Sequence, residues 1–323
     1  MTGVSGDPRA IVQMPLSGRP WAPEVEVPPA LATALIESQC PSLAPVRLTL
    51  MGEGWDNIAY LVNGEWVFRF PRRTIAVTLL ETEGRVLPVL GPRLPYPIPM
   101  PVWYGRPDAT YKWPFLGYRR LEGHVVSDVD LGDDARAALA GPLARFLRAL
   151  HDVPRADARA WGVPPDAFGY LDPDRLQRIA RPALSDLVAR GTIADARPWL
   201  DVLDAGVAVL PLQTALTVVH GDFYSRHILV DDSGRMAGAI DFGDLHLDHP
   251  AVDLSVAWTV LPPRARPDFF AIYGEVDQPT LAAARLRGLT SGLAQEAYGR
   301  DVGDVRIERE GIRTLHSLIA GYN

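Results

Sequence analysis

The sequence predicts an α+β fold in two lobes: an N-terminal unit built on an antiparallel sheet, then a mainly helical C-terminal unit. Three observations carry this reading. The chain has 323 residues, about twice a typical domain of ~150. Between residues 46 and 121 apolar and polar positions alternate around an Asn63-Gly64 dipeptide, the pair that a type I′ hairpin requires. After Glu122-Gly123, most periodic segments repeat their apolar residues at helical spacing.

In chain order, residues 1–28 hold Pro8, Pro15, Pro20, Pro23 and Pro28 and read as an irregular arm. Leu31, Leu35 and Ile36 predict a short helix from Pro29 to Gln39. Val46, Leu48 and Leu50 alternate with Arg47 and Thr49 in a strand ended by the Gly52-Glu53-Gly54 loop. Ile58 to Val62 and Trp66 to Phe70 flank the Asn-Gly turn as a hairpin. Leu79, Leu80, Glu83, Val86, Leu87 and Leu90 mark a helix from Thr74 to Leu90. Strands at 97–104 and 115–121 complete a β-rich lobe over residues 29–122. The C-terminal lobe, residues 123–323, opens with a helix lined by Leu139, Leu143, Phe146, Leu147 and Leu150, with Asp133 or Asp134 as its N-cap. A second helical pattern runs from Asp172-Pro173 to Gly191 and is expected to break at Pro182. Further helical pattern covers 194–210, 280–298 and 305–319, with one β island at Thr217 to Asp241.

Composition narrows the function classes. Apolar types at 47% and charged types at 22% exclude a disordered or fibrous chain. No run approaches the ~18 uncharged apolar residues that cross a bilayer. The N-terminus lacks a basic segment followed by an apolar one, so a cytoplasmic protein is expected. The single cysteine, Cys40, excludes an internal disulfide and a thiolate zinc cluster. Lys plus Arg total 32 against 39 Asp plus Glu, a formal charge of −7. That balance opposes nonspecific contact with nucleic acid or anionic membrane and suits a cationic small ligand. Lys112 is the only lysine.

The island carries the chemistry. Val218-Val219-His220-Gly221-Asp222 leads through Phe223-Tyr224-Ser225-Arg226-His227 into an apolar strand, Ile228 to Val230. After a turn at Asp232-Ser233-Gly234, a second strand from Met236 ends in Ile240-Asp241-Phe242-Gly243-Asp244. A hairpin brings its entry and exit together, so Asp222, His227 and Asp241 converge at one end. Each residue alone is ordinary for a loop. Three such groups framed by apolar strands point to a site.

This stretch resembles the aminoglycoside phosphotransferases and related antibiotic kinases, relatives of the protein kinases. His220-Gly221-Asp222 with a metal ligand five residues on, then Ile240-Asp241-Phe242-Gly243, is similar to their catalytic loop and metal-binding turn. Most members carry Asn at the position of His227, whereas the 2″-aminoglycoside and macrolide kinases carry His. Gly54-Trp55-Asp56-Asn57-Ile58-Ala59-Tyr60, Val67-Phe68-Arg69-Phe70-Pro71-Arg72, Pro97-Ile98-Pro99 and Ala144-Arg145-Phe146-Leu147-Arg148-Ala149-Leu150-His151 resemble the 2″ branch. The ordered set spans roughly residues 45–260.

The resemblance implies a protein-kinase-like fold and transfer of the terminal phosphate of ATP or GTP to a small hydroxylated molecule, an aminoglycoside-like antibiotic first. It assigns Asp222 as the base that orients and deprotonates the acceptor hydroxyl, and Asp241 and His227 as the ligands of Mg²⁺. A histidine is a second choice for Mg²⁺, which prefers oxygen, and its alternative role is a hydrogen-bond donor that holds Asp222 or a metal-bound water. Arg69 stands where such sites place a phosphate-holding lysine; a fixed cation fills that role with different geometry. Glu83 pairs with Arg69, and Gly52 and Gly54 let backbone approach the phosphates. Residues 115–122 link the lobes and offer backbone groups to the purine. His220, Asp248 and Asp253 support the loop. His246 and His249 read as solvated loop residues. Glu275, Asp277 and Glu296 are candidates for ammonium groups of the acceptor. Three alternatives stand beside this reading: a macrolide or small-metabolite kinase, a metal-dependent hydrolase using His220, Asp222, His227, Asp241 and His246, and a catalytically silent nucleotide-binding protein.

Overall fold

The computed structural model describes residues 23–54, 56–212 and 216–320. The expected arm up to residue 22, and Trp55 of the glycine loop, lie outside them. Helix α1 (Pro29–Gln39) spans the residues that its apolar spacing marks and buries Ala32, Leu35 and Ile36. Next comes an antiparallel sheet of five strands: β1 (Leu48–Glu53), β2 (Asn57–Val62), β3 (Trp66–Pro71), β4 (Pro101–Gly105) and β5 (Phe115–Arg119), in the order β1-β2-β3-β5-β4. Asn63 (φ 53°) and Gly64 (φ 75°) are both left-handed, as the I′ turn between β2 and β3 demands. β3 is central and buries Val67 to Pro71. Helix α2 (Thr74–Leu90) follows it and buries Leu80, Glu83, Val86 and Leu87.

One expectation fails in this sheet. β1 runs through Gly52 to Glu53 with a register shift after Leu50, rather than ending at the glycine. Leu50 and Met51 are 54% and 50% exposed: β1 is an edge strand, and no described residue covers these two side chains.

β6 (His124–Val125) leaves the first sheet and pairs with a strand of the second unit. The helices then follow as α3 (Asp133–Ala138), α4 (Ala140–His151), α5 (Arg155–Ala160), α6 (Pro173–Ala189) and α7 (Arg197–Val207). Gly132, not Asp133 or Asp134, occupies the N-cap of α3; both aspartates sit in its first turn, where they favour the positive end of the helix dipole. α6 is continuous through Pro182. Leu176, Ala180, Leu184 and Leu187 are all buried, so packing on both sides of the proline holds the axis. Its N-cap, Asp172, accepts a hydrogen bond from the Arg175 amide at 2.7 Å.

The β island divides into two small sheets. β8 (Ile228–Val230) and β9 (Met236–Ala239) form the expected hairpin, with β6 on its outer edge. β7 (Thr217–Val219) pairs instead with β10 (His246–Asp248). The chain closes with α8 (Ala251–Leu254), α9 (Val256–Thr259), α10 (Arg266–Tyr273), α11 (Gln278–Val302) and α12 (Val305–Ile319). α11 packs on α6, α7, α8, α9 and α12. It buries Arg285, Arg287 and Glu296 along with Leu286, Leu289 and Leu293.

Two apolar clusters result. One packs α1 against the first sheet through Ile36, Tyr60, Phe68, Phe70 and Phe115. The other runs from α2 through the helical unit, joining Leu87 and Leu90 to Leu143, Phe146, Phe223 and Phe242. The Ala239 amide also donates to the Pro97 carbonyl at 3.0 Å, tying β9 to the segment that leads into β4.

Candidate active site

The site lies where the loop 220–227, the turn after β9, β3 and α2 meet. Asp253 of α8 anchors it. Its fully buried carboxylate accepts the amides of His220 (2.7 Å) and Gly221 (3.0 Å) and the Nε2–H of His151 (3.1 Å). Burial alone would raise its pKa; those donors and the neighbouring imidazoles hold it below the usual carboxylate range. The buried His220 ring has both nitrogens occupied. Nε2–H donates to the Ile240 carbonyl at 3.0 Å, and Nδ1 accepts the Asp222 amide at 3.3 Å. Burial lowers its pKa, so the ring is a neutral strut between the loop and the residue before Asp241. Gly221 has φ +87°, and a Cβ there would collide with the Asp244 carbonyl.

Asp222 stands on the frame so formed with its side chain 30% exposed, and two groups flank its carboxylate. His227 Nδ1 is 3.6 Å from Oδ2, and the Arg287 guanidinium is 3.5 Å from Oδ1. His227 Nδ1 also lies 2.7 Å from the Asp222 carbonyl. A carbonyl only accepts, so Nδ1 carries the proton and Nε2 presents its lone pair. That lone pair faces Asp241 Oδ2 at 3.5 Å. His227 therefore sits between the two aspartates, and the three groups converge as their sequence positions predict.

Asp241 holds a left-handed conformation, φ 63°, which costs a non-glycine residue about 1 kcal/mol or more. The backbone bend turns the carboxylate towards β3. Arg69 Nη2 meets Asp241 Oδ1 at 3.0 Å, and Arg69 Nη1 meets Glu83 Oε2 at 2.7 Å. Burial disfavours the Arg69 charge, but Glu83 and Asp241 outweigh it and raise its pKa. Glu83 is pushed up to about 7 by burial, against the pull of Arg69. Burial also pushes on Asp241, but Arg69 holds it down at about 2. The expected Arg69–Glu83 pair is thus formed and aimed at the turn that carries Asp241.

The remaining candidates divide. Gly52 pairs with Ala59 inside β1, and a Cβ there would meet open space. The Gly54 amide donates to the Asn57 carbonyl at 2.9 Å, closing the turn. Among the described residues, Asp248 makes no hydrogen bond or ion pair to the loop. Its Oδ1 accepts the His249 amide at 2.6 Å, and its Oδ2 lies 3.3 Å from His246 Nε2. His246 and His249 are buried, not solvated. His246 Nδ1–H donates to the Asp244 carbonyl at 2.6 Å, and Nε2 faces Asp248 and Asp166, whose charges help to raise its pKa despite burial. Those two partners give it a different neighbourhood from His227, so the five residues of the hydrolase alternative do not converge on one ion. Asp277 caps α11 by accepting the Thr280 amide at 2.8 Å. Glu296 is engaged by Arg190 at 2.8 Å and Arg300 at 3.5 Å. Glu275 lines a shallow cavity with Phe270, Gly274 and Leu281.

Three neighbours of Asp222 escaped the sequence reading. Arg287 of α11 donates to the Gly221 carbonyl at 3.2 Å, and its guanidinium lies 4.2 Å from the centre of the Tyr170 ring. The Tyr170 hydroxyl hydrogen-bonds Asp244. Burial and the charge of Asp222 push the Asp244 carboxyl up to about 7. The legible signal was arginine at 285 and 287 within an otherwise core-forming helix.

Fold and site together define a kinase-like architecture: a small antiparallel sheet whose central strand carries a cation, set over a helical unit whose loop carries the acidic groups. The chain belongs to the phosphotransferase enzyme family (APH), whose model matches residues 47–289. Among solved structures it is similar to the GDP and kanamycin complex of APH(2")-IIia, with a TM-score of 0.67 and 26% identity over 90% of this chain and 99% of that one. A macrolide 2'-phosphotransferase type I shares the fold, with a TM-score of 0.55 and 22% identity over 90% and 98% of the two chains. Viomycin phosphotransferase of Streptomyces vinaceus is 26% identical over 78% of this chain and 87% of its own. The uncharacterized protein YcbJ of Bacillus subtilis (strain 168) is 26% identical over 60% of this chain, and the match spans 63% of YcbJ, less than two thirds of its length. Among the described residues, no helix is long and apolar enough to cross a membrane.

Proposed function

We propose that this protein transfers the terminal phosphate of ATP or GTP to a hydroxyl of an aminoglycoside-like antibiotic. One observation carries the reading: His227 lies within 3.6 Å of Asp222 and 3.5 Å of Asp241, which supports Asp222 as the base and Asp241 as the metal-binding carboxylate of one site beside Arg69. Asp222 accepts a hydrogen bond from the acceptor hydroxyl, orients it, and takes its proton as the new bond forms. Arg69, aimed by Glu83, offsets negative charge on the nucleotide phosphates. Gly52, where a Cβ would meet open space, leaves room for the phosphates to approach backbone, and Gly54 closes the turn beside it.

The residues fit Mg²⁺. The His227 Nε2 lone pair and Asp241 Oδ2 are both acceptors, they face each other, and a cation between them satisfies both. When bound, Mg²⁺ supplies charge neutralisation and alignment of the phosphates. His227 keeps its tautomer through the Asp222 carbonyl. Arg69 and Glu83 hold Asp241 in place. The domain division proposed is a nucleotide-binding lobe at 29–122 and an acceptor lobe at 123–323. A cationic acceptor is favoured by the charge of −7 and by relatives whose names carry kanamycin and viomycin.

The test is nucleotide consumption across aminoglycosides, macrolides and small alcohols, with Asp222→Ala as control. The variant should keep nucleotide affinity and lose turnover by about 10³-fold, within the range for a general base. Normal turnover in Asp222→Ala would remove Asp222 from the role of base.

A further inference from the structure

We propose that Arg287 is a positioning residue for phosphate transfer: it fixes the Asp222 carboxylate from the side opposite His227. The proposal rests on the phosphotransferase reading. The carboxylate has one lateral contact at each oxygen, His227 Nδ1 at 3.6 Å from Oδ2 and Arg287 Nη2 at 3.5 Å from Oδ1. The terminal torsion of an aspartate is broad and roughly two-fold, so one flank alone leaves rotation free. The second flank removes it. The same Nη2 donates to the Gly221 carbonyl at 3.2 Å, which ties the carboxylate to the peptide just before it.

Arg287 is itself held by a shelf. Its guanidinium stacks on Tyr170 at 4.2 Å, and Tyr170 is tied through its hydroxyl to Asp244. Asp244 also supplies the carbonyl against which Gly221 packs. One acidic residue therefore registers both the loop glycine and the arginine that reaches across to the base. Packing alone does not account for an arginine here. The residue is 8% exposed, and among the described residues its Nε has no hydrogen-bond partner. A buried unpaired donor lowers stability, and an apolar side chain on α11 would avoid that penalty. The charge sits where it meets Asp222.

The experiment compares wild type with Arg287→Ala, Arg287→Lys and Tyr170→Phe, using Mg-nucleotide with kanamycin or water as the acceptor probe. Arg287→Ala should lower kcat by about 10- to 100-fold, the scale of a misplacement of about 1 Å, with nucleotide KM changed by less than about twofold. Arg287→Lys, or guanidinium added to Arg287→Ala, should restore part of kcat. Tyr170→Phe keeps the ring under Arg287 and should lose kcat by a smaller factor, again at constant nucleotide KM. A kcat unchanged in Arg287→Ala overturns the proposal. So does a loss accompanied by a raised nucleotide KM and a lower melting temperature that neither Lys nor guanidinium reverses. Wild type silent on both probes would overturn the phosphotransferase reading and this proposal with it.

Discussion

Replacing Asp253 by Asn keeps the shape of the side chain and removes only its capacity to accept on every side. The carboxylate receives three donors: the His220 amide and His151 Nε2–H at one oxygen, and the Gly221 amide at the other. An Asn amide accepts at a single oxygen, so its NH₂ must point at one of those donors. With the oxygen placed towards His220 and His151, the Gly221 N–H loses a charge-assisted bond, about 1.5–3 kcal/mol. That N–H is then left buried and facing another donor, which costs about 1–3 kcal/mol more. The sum, about 2.5–6 kcal/mol, is a large fraction of the 5–15 kcal/mol typical of a folded protein. At about 2–4 °C per kcal/mol for a chain of this size, the melting temperature should fall by roughly 10 °C. Urea unfolding followed by tryptophan fluorescence reads the change directly, as a lower midpoint at unchanged slope. A loss under about 1 kcal/mol would refute the reasoning, because it would mean that the loop amides find equivalent partners without the carboxylate.

Two further outcomes follow from the buried charges. Glu83→Gln removes the 2.7 Å partner of Arg69 and leaves Asp241, so stability should drop by about 3–5 kcal/mol and nucleotide affinity by about tenfold, read by chemical unfolding and by nucleotide titration. Asp244 and Glu83 are raised to about 7, above their ordinary carboxyl values, so each favours the folded state most where both folded and unfolded carboxyls are protonated. That contribution is complete below about pH 4 and is lost as pH rises through about 7. Unfolding free energy should gain a falling component across this window, and Asp244→Asn should flatten it; an unchanged pH profile in that variant would contradict the assignment. Asp241, held down at about 2, acts with the opposite sign and only in acid.

Much of the first unit was legible because its signals are local. The Asn63-Gly64 turn, helix 29–39 and helix 74–90 each depend on nearby residues, and the structure places them at those positions. Local pattern misread β1, because alternation cannot say whether a neighbouring layer covers the apolar face. It misread Pro182 for a similar reason: the packing that carries α6 past a proline comes from distant helices. In the site, the convergence of Asp222, His227 and Asp241 follows from hairpin geometry, and the Arg69–Glu83 pair from a strand followed by a helix. Arg287 and Tyr170 were out of reach. They approach Asp222 from 65 residues downstream and 52 upstream, and no spacing rule connects them. His246 and His249 looked solvated because the pairing of β10 with β7, which buries that segment, joins residues on both sides of the hairpin.

The left-handed backbone at Asp241 has a consequence for anyone dissecting this turn by mutagenesis. Only Gly, Asn and Asp enter that region readily, so Asn is the replacement that deletes the negative charge and nothing else. Alanine scanning at 241 would mix a conformational penalty with the electrostatic one, and the resulting loss of function could not be ascribed to either.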